Sequence, residues 1–159
     1  MIHEIFFLIF LSTHVDSLKL NKSVLFNDFG FSYDSRVIDL SNKEIDKIDS
    51  DTFKDMNSLS ILYLHRNKIS QIDEYIFRGL TNLKELWLES NYIISINQNA
   101  FIKLENLELL CLSGNPVSFP VYIKDICAMN PKCKLQIFEK CDQTDENTTK
   151  RPATFDGKF

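Results

Sequence analysis

The chain has 159 residues, a formal net charge of −4 and 44% hydrophobic residues. That length suits one domain with a tail, and the mild acidic balance excludes the basic stripe that a nucleic-acid surface needs. With four Gly and three His residues, the sequence holds no glycine-rich phosphate loop and no His-rich metal spacing.

The first segment, residues 1–17, contains the apolar run Ile5–Leu11. The run is too short to span a bilayer and fits the core of a signal peptide. Val15 and Ser17 are small enough for the −3 and −1 positions of a cleavage after Ser17. The n-region has Glu4 and His3 but neither Lys nor Arg, which leaves an apolar N-terminal cap or an uncleaved anchor as alternatives. Residues 18–34 follow as an N-terminal capping segment. Leu18, Leu20, Val24, Leu25, Phe26, Phe29, Phe31 and Tyr33 make it apolar enough to cover whatever comes next. Whether Leu18–Leu20 adds a strand stays open at this level.

From residue 35 to 120 the chain repeats itself every 24 residues. Leu40, Leu64, Leu88 and Leu112 form one column, and Ile38, Leu62, Leu86 and Leu110 another. Ile45, Ile69, Ile93 and Val117 align, as do Ile48, Ile72 and Ile96, and Phe53, Phe77 and Phe101. Asn67, Asn91 and Asn115 align too. A single turn cannot bury its own apolar side, so each needs a neighbour on either side. Leu62 and Leu64 alternate with Tyr63 and His65, the period of a half-buried strand. The aligned Asn side chains are expected to point inward and bond backbone groups at the bend.

Residues 59–69 read Leu-x-x-Leu-x-Leu-x-x-Asn-x-Ile, and 83–93 and 107–117 repeat it, with Val117 last. This resembles the leucine-rich repeat family, in the 24-residue form with a Phe column that its extracellular members use. The first turn departs, with Lys43 at the Asn position and Asn42 one place earlier. The resemblance implies an α/β solenoid. It would carry a curved parallel β-sheet on the concave face, short irregular or helical convex segments and a C-terminal cap.

That cap is placed at residues 121–141. Residues 120–130 suit a helix with Val121, Ile123, Ile126 and Cys127 on one face, and 135–137 alternate like one more strand able to pair with the Leu110–Leu112 edge. Such a cap is similar to that of some cytosolic and nuclear members, whereas cysteines pull towards an extracellular one. Cys111, Cys127, Cys133 and Cys141 are disulfide candidates with three possible full pairings. Asn21 and Asn147 head glycosylation sequons. Residues 142–159 read as a polar, disordered tail.

The side chains between the inward leucines define the candidate site. One concave column is Asp39, Tyr63, Trp87 and Cys111, and the next is Ser41, His65, Glu89 and Ser113. Asn42, Arg66, Ser90 and Gly114 follow, and Val37, Ile61, Glu85 and Leu109 lie on the other side. Trp, Tyr and Arg are enriched in binding hot spots. Ligand contacts are therefore expected at Tyr63, Trp87, His65, Arg66, Glu85 and Glu89, with both aromatics exposed. Aromatic stacking that stiffens the sheet is the competing role for the pair. His65 and Cys111 lie two strands apart, about 9–10 Å, too far for a nucleophile and its base. The expected function is thus non-enzymatic recognition of a protein ligand by a secreted or cell-surface module. No cofactor, metal, nucleic acid or small-molecule substrate is expected. Self-association through Cys111 and a cytosolic scaffold are the other readings.

Overall fold

A computed structural model describes residues 17–116 and 133–136 of the chain. Residues 1–16 of the signal segment expected over 1–17, the helix expected over 120–130 and the tail expected over 142–159 therefore lie outside the described residues, as do Cys127, Cys141 and Asn147.

The repeats stack as the columns require. Strands β2 (Val37–Asp39), β4 (Ile61–Tyr63), β6 (Glu85–Trp87) and β8 (Leu109–Cys111) form a parallel sheet. Each pairs with the next at the same repeat position, Ile38↔Leu62↔Leu86↔Leu110. A fifth strand, β9 (Lys134–Gln136), joins the C-terminal edge with Leu135 opposite Leu110. The sheet order is β2-β4-β6-β8-β9. Lys84 N–H donates to the Ser60 carbonyl, Glu108 N–H to Lys84 and Lys134 N–H to Glu108. The cap strand thus continues the ladder of the repeats instead of ending it.

Among the described residues, the return side of the turns is made of turns and very short strands, not α-helix. β5 (Gln71–Ile72) pairs with β7 (Ser95–Ile96) in parallel. Between the two sides lies the core. Leu40, Leu62, Leu64, Leu86, Leu88, Leu110 and Leu112 are fully buried, and Ile69, Ile72 and Ile93 nearly so. Phe53, Phe77 and Phe101 stack along the solenoid, 6.5 and then 5.8 Å apart and within 17° of parallel, inside the range for offset aromatic pairs.

The N-terminal segment caps the stack by a different route from the C-terminal one. Leu18–Leu20 is a strand, β1, but it pairs in parallel with β3 (Ile45–Ile48) on the return side and not with β2. Leu20 and Leu25 are fully buried against the first turn. The Leu20 carbonyl accepts from Asp49 N–H and from the buried Thr52 hydroxyl. A π-helical turn over Val24–Asp28 follows, led in by Asn21, whose Oδ1 accepts from Val24 N–H at 3.0 Å.

The asparagine column supplies hydrogen bonds that the bend needs. Asn91 Nδ2 donates to the Leu88 carbonyl of its own turn and to Leu64 of the turn before, while its Oδ1 accepts from Ile69 N–H. Asn67 and Asn115 repeat this pattern. Each Asn therefore serves the preceding turn as well as its own. This explains the departure at Lys43: the first turn has no earlier turn to serve, and Asn67 Oδ1 accepts from Lys43 N–H. A second asparagine ladder runs along the surface, where Asn82 Nδ2 donates to Asn57 and Asn106 Nδ2 to Thr81, both at 2.8 Å.

Asn91→Ala leaves the buried Ile69 N–H without its acceptor, a loss of about 1–3 kcal/mol, while the Leu64 and Leu88 carbonyls keep the amides of Asn67 and Asn115. A destabilisation of about 1–3 kcal/mol is expected from urea unfolding. Asn82→Ala, at an exposed position, is expected to cost about 1 kcal/mol or less.

Candidate functional site

The backbone of each turn after its concave strand passes through the left-handed region at one fixed position. Asn42, Arg66, Ser90 and Gly114 have φ of 55°, 56°, 54° and 68°. Asn and Gly suit this conformation, whereas other residues lose about 1–2 kcal/mol in it. At Gly114 a Cβ would in addition stand 3.3 Å from Ser90 Oγ. Arg66 is thus an exposed cation held on a strained backbone, its N–H donating to the Glu89 carbonyl at 2.9 Å.

Around it the concave columns come together. The Tyr63 and Trp87 rings are 5.8 Å apart and tilted at 39°, and the His65 ring meets Tyr63 edge-on at 5.9 Å. Trp87 Nε1 donates to Glu85 Oε2 at 3.0 Å. Tyr63, His65, Glu85 and Glu89 are half-buried.

One expectation fails. Trp87 is not an exposed aromatic: only 3% of it is accessible, and Cys111 beside it is fully buried. The pair forms a small apolar cluster on the concave side, with Ile61, Tyr63 and Leu109 packed against it, separate from the main core. Strand alternation correctly gives the face to which a side chain belongs. It says nothing of what else covers that face, and this is why Trp87 was misread.

Accessibility falls along the sheet. In the central column Asp39 is exposed, Tyr63 half-buried, and Trp87 and Cys111 buried. In the next column Ser41, His65 and Glu89 are half-buried and Ser113 is buried. The accessible part of these two columns therefore lies at Asp39, Ser41, Tyr63 and His65, whereas the column of Asn42, Arg66, Ser90 and Gly114 is exposed throughout.

Both described cysteines, Cys111 and Cys133, are disulfide-bonded. A bonded Cys111 has no thiol to act as a nucleophile.

The second asparagine ladder and the left-handed column were missed from the sequence. Asn82 and Asn106 share the 24-residue spacing and could have been found by extending the column search to polar residues. Asn42 and Gly114 in one column were the available sign of the left-handed position.

Burial changes what a substitution at Trp87 reports. Trp87→Ala is expected to destabilise the fold by about 3 kcal/mol, measured by urea unfolding. Arg66→Asn, which relieves the left-handed strain, is expected to stabilise it by about 0.5–1 kcal/mol in the same assay.

Three comparisons with known proteins bear on this geometry. The leucine rich repeat family model matches residues 36–86 and 57–117, together just over half of the chain. No curated protein matches. Among solved structures, the chain is similar to the crystal structure of the leucine-rich repeat domain of APL1B, with a TM-score of 0.60 and 20% sequence identity. That alignment covers 74% of this chain and 34% of the other, so the chain spans about a third of its length. The likeness carries the fold: a parallel-stranded solenoid with little helix. With its repeats matched by the family model, the chain belongs to the leucine-rich repeat family.

Proposed function

We propose that this chain is a secreted or cell-surface recognition module that binds a protein ligand on the open, N-terminal half of its concave sheet. Leucine-rich repeat domains are typically non-enzymatic modules for protein–protein interaction, which supports the class of function. The observation that carries the site is Arg66, a long cationic side chain exposed on a left-handed backbone where the other turns have Asn42, Ser90 and Gly114. Strain retained at an exposed position is a pointer to function, and Arg and Tyr are among the residues enriched in hot spots. Tyr63, His65, Glu85 and Glu89 complete the contact surface, while Trp87, beside Tyr63 on the next strand, is the support against which its ring packs.

The extracellular setting is supported by the apolar run 5–11, the Asn21 and Asn147 sequons and the bonded state of Cys111 and Cys133. Disulfides persist in oxidising compartments and are rare in the cytosol. A cytosolic scaffold using the same face is the competing reading, favoured by the helix-and-strand pattern of residues 120–137. Self-association through Cys111 would require opening a bond that this cysteine already makes.

The test begins with the chain made in a secreting eukaryotic cell and probed against a panel of extracellular ectodomains. Secretion with residues 1–17 removed and a glycan on Asn21 or Asn147 is expected. Any ectodomain bound is expected to lose affinity at least about tenfold with Tyr63→Ala or Arg66→Ala and to keep it with Tyr92→Ala, at an exposed position outside the concave strands. Retention in the cytosol with free thiols, or binding indifferent to Tyr63 and Arg66, would overturn the proposal.

A further inference from the structure

We propose that the outer side of β2 is a docking edge, where an extended segment of the protein ligand adds as a further strand of the main sheet, with an apolar residue alongside Val37 and a Lys or Arg alongside Asp39. It rests on the N-terminal half of the concave sheet being the recognition surface, and it names the form and chemistry of what binds there.

The repeats show which backbone groups are left over. In each later turn, two groups of the concave strand bond to the strand before. Ile61 N–H donates to the Arg36 carbonyl, and the Tyr63 carbonyl accepts from Leu40 N–H. Glu85 and Trp87 do the same with Ser60 and Leu64, and Leu109 and Cys111 with Lys84 and Leu88. Val37 and Asp39 hold these positions in the first turn, and β2 is the end strand of its sheet. The strand on the N-terminal side, β1, pairs with β3 on the return side instead. Within a strand the N–H and C=O of one residue point the same way, and successive residues alternate. Both groups of Val37 and both of Asp39 therefore face outward, and among the described residues they bond to no other strand. The edge is open as well as unpaired: Val37 is 43% accessible, and Arg36 and Asp39 are exposed.

Backbone bonds give an added strand its affinity, and the alternate side chains beside it give specificity. On the concave face those side chains are Val37 and Asp39. Asp39 Oδ1 accepts from Ser41 N–H at 2.9 Å and from the Ser41 hydroxyl at 2.6 Å. Among the described residues no Lys or Arg forms an ion pair with Asp39. Opposite charges on neighbouring strands stabilise the pairing, and like charges oppose it. The edge thus matches a segment with an apolar residue and a cation two positions apart.

A second copy of the chain fits less well. Two β2 edges related by a two-fold axis pair antiparallel, and each register that joins their outward groups fails Asp39. Val37 of one copy opposite Asp39 of the other sets each carboxylate against an apolar side chain. Val37 opposite Val37 places Asp39 against Ser35, whose N–H is already bonded to the Ser32 carbonyl. Asp39 opposite Asp39 brings two carboxylates together. None of these supplies the cation.

The probe is a library of random linear peptides displayed on phage and panned against the secreted, full-length chain. Binders are expected to carry an apolar β-forming residue and a Lys or Arg two positions apart. The strongest, made synthetically, is expected to slow hydrogen exchange at the amides of Val37 and Asp39, which exchange freely in the unbound chain. Val37→Pro deletes an edge donor that serves no internal hydrogen bond, and is expected to weaken binding about tenfold or more with an unchanged far-UV circular dichroism spectrum. Asp39→Asn is expected to weaken it about two- to fivefold. Binding kept by Val37→Pro but lost with Tyr63→Ala would overturn the added strand and leave the concave surface standing. Binding indifferent to all three variants would overturn both. Amides of Val37 and Asp39 already protected in the unbound monomer, or protected only as it dimerises, would mean that the chain itself or a second copy fills the edge. Either result would overturn the proposal, as would a library that yields no such binders. Exchange in the wild-type chain decides the matter if Val37→Pro does not fold.

Discussion

A turning chain that stacks on itself must aim some backbone N–H and C=O groups into its own interior, and the inward asparagines satisfy them. Each side-chain amide bonds two carbonyls, one in its own turn and one in the turn before, and its oxygen takes an N–H from the earlier turn. Leucine and phenylalanine burial drives the stacking, but it is indifferent to register. The amide bonds are directional and unmet alternatives are costly, so they fix one turn against the next. Everything on the concave face inherits its position from that register, including the alignment of Tyr63 with Trp87 and Cys111.

The two ends show how a repeating fold is closed without repeating units. At the C-terminal end β9 extends the main sheet and keeps its hydrogen-bond ladder. At the N-terminal end β1 joins the return side while Leu20 and Leu25 plug the first turn. Both solutions bury the raw end of the core. Tyr63 and His65 lie in the more accessible, N-terminal half of their concave columns, and the buried pair Trp87 and Cys111 packs beside Tyr63 on the same face.

What was legible in the sequence was whatever repeats. The Leu, Ile, Phe and Asn columns are locked to one period, so each turn corroborates the others, and the inward role of Asn67, Asn91 and Asn115 followed from that periodicity. A strand at 135–137 was legible from alternation alone, and β9 lies one residue earlier, at Lys134–Gln136. Features made by unlike segments were not. The pairing of Leu18–Leu20 with Ile45–Ile48 joins a non-repeated strand to a repeated one. The burial of Trp87 was not legible either, because alternation assigns a side chain to a face without saying how closely it is packed there. Nor does strand alternation distinguish the backbone of Arg66 from that of any other loop residue; its left-handed conformation shows only by comparison with Asn42 and Gly114.

The most direct test of the asparagine ladder is native-state hydrogen exchange at the amides of Ile45, Ile69 and Ile93, whose hydrogen-bond acceptors are the side chains of Asn67, Asn91 and Asn115. If those side chains hold the register, the three amides exchange as slowly as the fully buried strand amides of Leu62 and Leu86 and open only with the whole fold. Exchange at the rate of an exposed loop would mean that the bends open locally, and that burial alone, without the asparagines, holds the turns together.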